Sequence, residues 1–444
     1  MVIVIDAGGD VLSQELGTTE WWKQSRQQVS VYLGRNKILE CVERQFDAPG
    51  ECGLGEMFRA FTHYLGWPSG RHAGKTMALA AFGKSRIGDQ ENFYTHERHS
   101  GKLKARINQF EPFKPGETAR AFLRSINRLD LIDAWEKDGA RDAREEIAAI
   151  VQRSLETALI ELISSLVEKY KIRKVCFAGG VALNCTAINY VREKLDVDVF
   201  VPAGSGDSGQ CVGNAILGSI AETGEVPSLR NLPFIGPSYQ LDENELFRLL
   251  QFWGVRASVN RYPTDCELQA QVARRIFSDE IVFLFQGKCE FGARALGNRS
   301  IIASTQSPQI VGRLNELKKR EDFNPFAASC IKEDAQTFFE NVTQSPFMTL
   351  AFSVRKEMRR EFVKSIVHAD GTCRAQVFDK DFNPSYYGYL REYKKLSGYG
   401  LLLNTSLNGP DEPIVETPSD CIKLFAKSEV STSLVINEFL VTKL

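Results

Sequence analysis

The sequence lacks any excess of one charge: 55 Lys and Arg stand against 56 Asp and Glu, a formal net charge of −1. Without a global field, the surface as a whole recruits neither nucleic acid nor an anionic membrane, and any phosphate binding must come from local patches. Apolar runs of transmembrane length are also missing. The opening Met1-Val-Ile-Val-Ile-Asp6 has no basic stretch before it and reads as a buried strand, not a signal peptide. The ten cysteines are scattered without a Cys-x-x-Cys pair, which removes support for a zinc ribbon, an iron–sulfur cluster or a thioredoxin-like site. Reduced, buried thiols in a cytoplasmic protein are the expectation. No internal repeat or low-complexity tract interrupts the chain.

What is present suits two packed cores in 444 residues. Ile147, Ile150, Val151, Leu155, Leu159, Leu162 and Leu166 recur at helical spacing and predict a helix over Arg141 to Tyr170. Lys174 to Ala178 then reads as a strand ending in Gly179-Gly180, and Asp196 to Val201 as a second strand ending in Gly204-Ser-Gly-Asp207-Ser-Gly209, followed by a small-residue helix from Gln210 to about Thr223. Strands with glycine loops at their ends describe an α/β layer that meets ligands there. The stretch from about Asn92 to Asp138 is polar and reads as irregular. Pro227, Pro233 and Pro237 mark a linker, placing two domains at 1–226 and 227–444. Beyond it, Asp242 to Phe252 reads as a helix and Ile281 to Phe285 as a buried strand.

Several motifs carry chemistry. Asp6-Ala-Gly8-Gly9 at a strand end lets amide groups approach phosphate oxygens while the carboxylate holds a metal or water, although taken alone a plain hairpin turn is the favoured explanation. Gly179-Gly180-Val-Ala-Leu-Asn184 lets the chain pass close to a nucleotide, or merely packs a strand against a helix. Together the two resemble the phosphate and adenosine loops of the actin-like ATPase fold. Gly204-Ser-Gly206-Asp207-Ser-Gly209 formally fits a dinucleotide fingerprint, but the proline linker replaces the next strand, so Asp207 is read as a second carboxylate opposite Asp6. Gly74-Lys75-Thr76 fails the Walker A spacing.

The second half is denser. Phe285 to Ser300 sets Arg294 and Arg299 beside glycines, a pattern suited to bidentate capture of phosphate or carboxylate. Lys318-Lys319-Arg320-Glu-Asp-Phe323-Asn-Pro325-Phe326 interleaves cations with aromatics, and His368-Ala-Asp370-Gly-Thr-Cys-Arg374 gathers His, Asp and Arg in one turn. Asn404-Thr-Ser406-Leu-Asn408 ends a strand in short amide and hydroxyl side chains able to bind phosphate oxygens or a carbamoyl amide.

In this order the blocks resemble the carbamoyltransferase family that includes the nodulation-factor, cephamycin and tobramycin enzymes, over essentially the whole chain. The resemblance implies the second lobe of an actin-like (ASKHA) fold followed by a YrdC-like α/β domain. It implies an ATP-dependent carbamoyltransferase: the C-terminal domain makes carbamoyl adenylate from carbamoyl phosphate and ATP, and the actin-like domain passes the carbamoyl group to a hydroxyl of a small-molecule acceptor. Carried onto this chain, Arg294, Lys319 and Arg374 are expected in catalysis. Arg320, Asn404, Ser406 and Asn408 are expected to bind ATP and carbamoyl phosphate, and Gly179, Gly180 and Asn184 the adenylate. Asp6 and Asp207 are expected as ligands of a metal, with Mg2+ accompanying ATP and Fe2+ or another divalent ion in the transfer site. The chain starts just before the Asp-x-Gly-Gly strand, and its five histidines include no helical pair of the kind the family carries ahead of that strand. The expectation is therefore that the first lobe comes from a separate polypeptide or that the chain forms a homo-oligomer. A catalytically incomplete or regulatory subunit, and a kinase of the sugar-kinase branch, are the competing readings.

Overall fold

In a computed structural model, residues 1–7, 25–35, 38–48, 50–84, 91–97, 101–107, 110, 113–229, 232–359 and 365–444 are described. They form a mixed α/β chain of two compact units, Met1–Pro227 and Ser228–Leu444. Gly8 and Gly9 of the first motif lie outside the described residues.

The first unit runs β1 (Val2–Ile5), β2 (Arg26–Arg35), β3 (Ile38–Asp47), α1 (Leu54–Tyr64), α2 (Ala73–Leu79), β4 (Tyr94–Glu97), β5 (Lys102–Ala105), α3 (Pro115–Ser125), α4 (Leu129–Asp138), α5 (Arg141–Tyr170), β6 (Lys174–Ala178), α6 (Cys185–Leu195), β7 (Asp198–Phe200) and α7 (Gly209–Thr223). Its five-stranded sheet has the order β3-β2-β1-β6-β7, with β1, β6 and β7 parallel and β1, β2 and β3 antiparallel. The 30-residue α5 buries the expected stripe, from Ile147 to Leu166, at no more than 2% exposure. Full burial of each such side chain stabilises by about 1.5–3 kcal/mol.

The stretch from Asn92 to Asp138 is not irregular as read from its polarity. It holds the β4–β5 hairpin and helices α3 and α4. Most of its apolar residues turn inward: Phe93, Tyr94 and Phe122 are buried, with ring centroids of Phe93 and Phe122 4.9 Å apart, while Phe113 and Leu129 stay exposed. Polarity on the outer face masked the period of the inner one.

The second unit runs α8 (Glu243–Phe252), β8 (Ala257–Arg261), α9 (Asp265–Phe277), β9 (Val282–Phe285), β10 (Arg299–Ala303), α10 (Pro308–Lys318), β11 (Ala327–Ile331), α11 (Ala335–Phe338), β12 (Ala351–Ser353), β13 (Thr372–Phe378), α12 (Pro384–Ser397), β14 (Leu401–Ser406), α13 (Pro418–Lys427), β15 (Ser433–Ile436) and β16 (Phe439–Lys443). One nine-stranded mixed sheet, β12-β13-β11-β14-β10-β9-β15-β16-β8, organises it. The central strands β9, β10 and β11 are buried along their whole length, Arg299, Ser300 and Ser329 included, as strands between two covered faces are. A core of Leu268, Val272 and Ile276 from α9 and Tyr386, Tyr389 and Tyr393 from α12 covers one face. No helix among the described residues is long and apolar enough to cross a membrane.

Candidate active site

In the first unit the parallel strands β1 and β6 end side by side, and their loops meet. The Gly180 amide donates to Asp6 Oδ2 at 2.9 Å, and the Ala7 amide to Asp6 Oδ1 at 2.7 Å. Gly179 has φ +87°, and a Cβ there would sit 2.1 Å from the Ile5 carbonyl oxygen, so the close passage of these strand ends admits only glycine. The Gly179 amide donates to the Ser205 carbonyl at 2.7 Å, which ties in the loop carrying Asp207. Gly55 closes the set from another side: a Cβ on it would lie 2.6 Å from the Ala7 nitrogen. Asp6, Gly179, Gly180 and the 204–209 loop are thus brought together.

Asp207 itself is exposed. Asp6 already accepts two amides, and among the described residues no group of three or more His, Cys, Asp or Glu is placed to hold a metal ion. Among the described residues, Asp6 and Asp207 do not make a metal site by themselves. Asn184 has turned inward. Its Oδ1 caps α6 by accepting from the Ala187 amide at 3.0 Å, and its amide exchanges hydrogen bonds with Gln152 of α5 at 2.8 and 3.1 Å. These contacts absorb the bonding capacity expected to face an adenylate.

In the second unit the cations converge where α10, β13 and β14 end. Ile310, Leu314 and Lys318 follow one another at i, i+4 and i+8 on α10, and all three are buried. Lys318 therefore enters the interior, where its Nζ donates to the Ser406 carbonyl and, at 2.9 and 2.7 Å, to the carbonyl and Oδ1 of Asn408. Lys319 caps the same helix with φ +47° and is exposed. Arg320 returns inward, donates to the carbonyls of Asn324 and Pro325 at 3.1 Å each, and lies 4.6 Å above the Phe326 ring.

Among the described residues no carboxylate forms an ion pair with Lys318, Arg320 or Arg374. The Nε atoms of Arg320 and Arg374 are buried without a hydrogen-bond partner. The cost of this crowding is visible in the titration of the group. Burial, and then the Arg320 charge, push Lys318 down to about 7, while burial and the neighbouring Arg374 bring Arg320 down to about 10. His368 is lowered to about 4, chiefly by burial, with Arg374 and Arg320 adding to it and Asp370 opposing.

Arg294 sits on the arc between β9 and β10, half-buried. Asn404, expected to bind nucleotide, holds that arc instead: its Nδ2 donates to the Ala295 carbonyl at 3.2 Å and to Ser329 Oγ at 2.9 Å. Ser406 and Asn408 lie at the cluster, with Ser406 Oγ donating to Asn408 Oδ1 at 2.6 Å. Glu290 was not singled out in the sequence, and Lys318 and Arg299 were read there only as members of cation-rich runs. The i, i+4, i+8 stripe of α10 marks Lys318. Arg299, fully buried and 3.7 Å from the Phe285 ring centroid, donates to the carbonyls of Gln286, Gly287 and Asn298, a role no motif announces.

The chain matches the family model "Carbamoyltransferase N-terminus" over residues 17–216 and "Carbamoyltransferase C-terminus" over residues 273–443. It is 30% identical to an uncharacterized protein, MJ1058, of Methanocaldococcus jannaschii, covering 86% of this chain and 61% of that protein. It is 30% identical to sll1178 of Synechocystis, covering 88% and 67%, and 33% identical to nodulation protein NolO of Bradyrhizobium diazoefficiens, covering 67% and 54%. The chain thus spans between about half and two thirds of the length of these relatives. Among solved structures, full-length HypF in its phosphate- and nucleotide-bound form aligns with a TM-score of 0.26 and 14% identity over 40% of this chain and 24% of that one, a likeness too small to argue from. With both family models matched in order along one chain, this protein belongs to the carbamoyltransferase family.

Proposed function

We propose that the chain is the adenylate-forming and acceptor-facing part of an ATP-dependent carbamoyltransferase, with the first unit as the second lobe of an actin-like (ASKHA) fold and the second unit as a YrdC-like domain. The observation that carries this reading is the group of Lys318, bonded to Ser406 and Asn408, with Arg320 close enough to bear on its charge and Arg374 on that of Arg320, without a carboxylate in ion-pair contact among the described residues.

Carbamoyl phosphate and Mg-ATP are both polyanions, and joining them requires fixed cations to offset repulsion and to stabilise departing pyrophosphate. In the balanced step, carbamoyl phosphate, ATP and water give carbamoyl adenylate, phosphate and pyrophosphate. Arg320 and Arg374 would orient the phosphates through their free Nε–H groups, and Lys318 would supply charge while its own N–H groups keep the Ser406–Asn408 turn in shape. Arg294 would complete the donor site. In the second step the acceptor oxygen attacks the carbamoyl carbon, AMP leaves, and the hydroxyl proton passes to a base. The amides and glycines around Asp6, Gly179 and Gly180 would hold the adenylate for that attack.

Pyrophosphate release by the purified chain with Mg-ATP, with and without carbamoyl phosphate, tests this. Release that depends on carbamoyl phosphate and falls by about a hundredfold or more in Arg374→Ala supports the reading. No release from a folded chain that still binds ATP would favour a subunit completed by a separate polypeptide or a second copy, and ADP as product would favour a kinase.

A further inference from the structure

The arc that carries Arg294 has no regular secondary structure, yet one side chain accepts from three amides at its end. Glu290 Oε1 accepts from the amides of Leu296 at 2.9 Å, Asn298 at 2.7 Å and Arg299 at 3.1 Å. Buried backbone donors in an irregular segment must find partners, and here one carboxylate oxygen substitutes for a neighbouring strand. The outer side of the arc is fixed separately. Gln376 Nε2 donates to the Leu296 carbonyl at 3.1 Å, and Asn404 Nδ2 to the Ala295 carbonyl at 3.2 Å. Gly297 adopts φ +111° so close to Tyr386 that a Cβ would fall 2.3 Å from the ring. These anchors hold Glu290 and residues 295–299 at the two ends of a short path, and Arg294 lies between them.

We infer that Glu290 is a positioning residue of the donor site, aiming Arg294 by gathering the three amides that follow it. The inference rests on the proposed role of Arg294. Glu290 does not need its charge for this. Its second oxygen, Oε2, is buried without a hydrogen-bond partner, so a glutamine can place its nitrogen there while its oxygen keeps all three amides. Alanine removes the acceptor and leaves three donors orphaned.

The test compares Glu290→Gln, Glu290→Ala, Arg294→Ala and the double variant Glu290→Ala/Arg294→Ala in the full chain. Two readouts are used: carbamoyl-phosphate-dependent pyrophosphate release, and hydrogen exchange of the segment 290–299. Glu290→Gln is expected within about threefold of the parent, and Glu290→Ala reduced about tenfold or more with faster exchange in that segment. The double variant is expected to be no worse than Arg294→Ala, because a residue acting through another loses its effect when that other is gone. Multiplying effects in the double variant, or unchanged exchange in Glu290→Ala, would overturn the inference. If the parent chain releases no pyrophosphate, the proposed function fails on its own account, and exchange in Glu290→Ala against Glu290→Gln still decides whether Glu290 shapes the arc.

Discussion

Lys318 of α10 and Asn408, just beyond β14, are joined across ninety positions of sequence by a 2.7 Å hydrogen bond from Nζ to Oδ1. The same Oδ1 accepts from Ser406 Oγ at 2.6 Å, so one amide oxygen ties a helix end to a strand end. That junction carries the unopposed charge of the cluster.

The two adjacent lysines are therefore expected to behave differently. Lys318→Met removes the junction and should lower carbamoyl-phosphate-dependent pyrophosphate release by about a hundredfold, whereas exposed Lys319→Met should stay within about threefold. Equal losses in the two variants, measured side by side, would mean that the buried lysine has no special role.

Anion binding should depend on pH through Lys318. Its folded pKa lies near 7, below the ordinary 10.5, because burial and Arg320 disfavour the charge. Below that pH the ammonium is present and affinity for sulfate, whose own charge is constant there, should be highest; affinity should fall as the pH rises through it. Titration calorimetry at several pH values should show the fall in the parent and not in Lys318→Met.

Asp47, 5% exposed, titrates the other way. Burial raises its pKa from 3.8 to about 7 against the opposing charge of Arg26, with Glu51 adding to the rise, Lys102 opposing it and Glu56 adding further. The folded state holds this proton more tightly than the unfolded chain, so its contribution to stability is complete below about 4 and is lost as pH rises to about 7. Asp47→Asn should flatten that part of the decline. Urea unfolding at either end of the window checks it; parallel curves would remove Asp47 from the account.

Gly179→Ala should destabilise the first unit by at least about 2 kcal/mol, since it adds left-handed strain and overlap with the Ile5 carbonyl. Denaturation followed by hydrogen exchange in β1 and β6 would register the loss.

Asn184→Ala should cost about 1 kcal/mol for the helix cap and a further ~1–3 kcal/mol for Gln152 Oε1 left without its donor, while Gln152 Nε2 keeps Glu156. Loss of stability without a change in ATP affinity would assign Asn184 to the fold; the reverse would assign it to the ligand.

Much of this architecture could be read from pattern. The α5 stripe, the strand before Gly179, the helix after the Gly204–Gly209 loop and the strand from Ile281 all occupy the expected positions, because each carries a strong period or a glycine boundary. The two helices between Asn92 and Asp138 were hidden, since short amphipathic helices with a polar outer face resemble loops until their partners are known. At the site, residue types were legible and directions were not. Lys318 and not its neighbour turns inward to Ser406 and Asn408, Arg320 lies between the charges of Lys318 and Arg374, and Asn184 and Asn404 spend their amides on helix α6 and on the Arg294 arc.

The sequence by itself determined the family, the mixed α/β character and the glycines at the β1 and β6 ends, because these depend on local period and on backbone freedom. The tertiary structure alone decided which polar groups remain available to a ligand. Pairings such as Lys318 with Asn408, Asn184 with Gln152 and Glu290 with three amides are settled only when distant segments compete for the same donors and acceptors in a buried space.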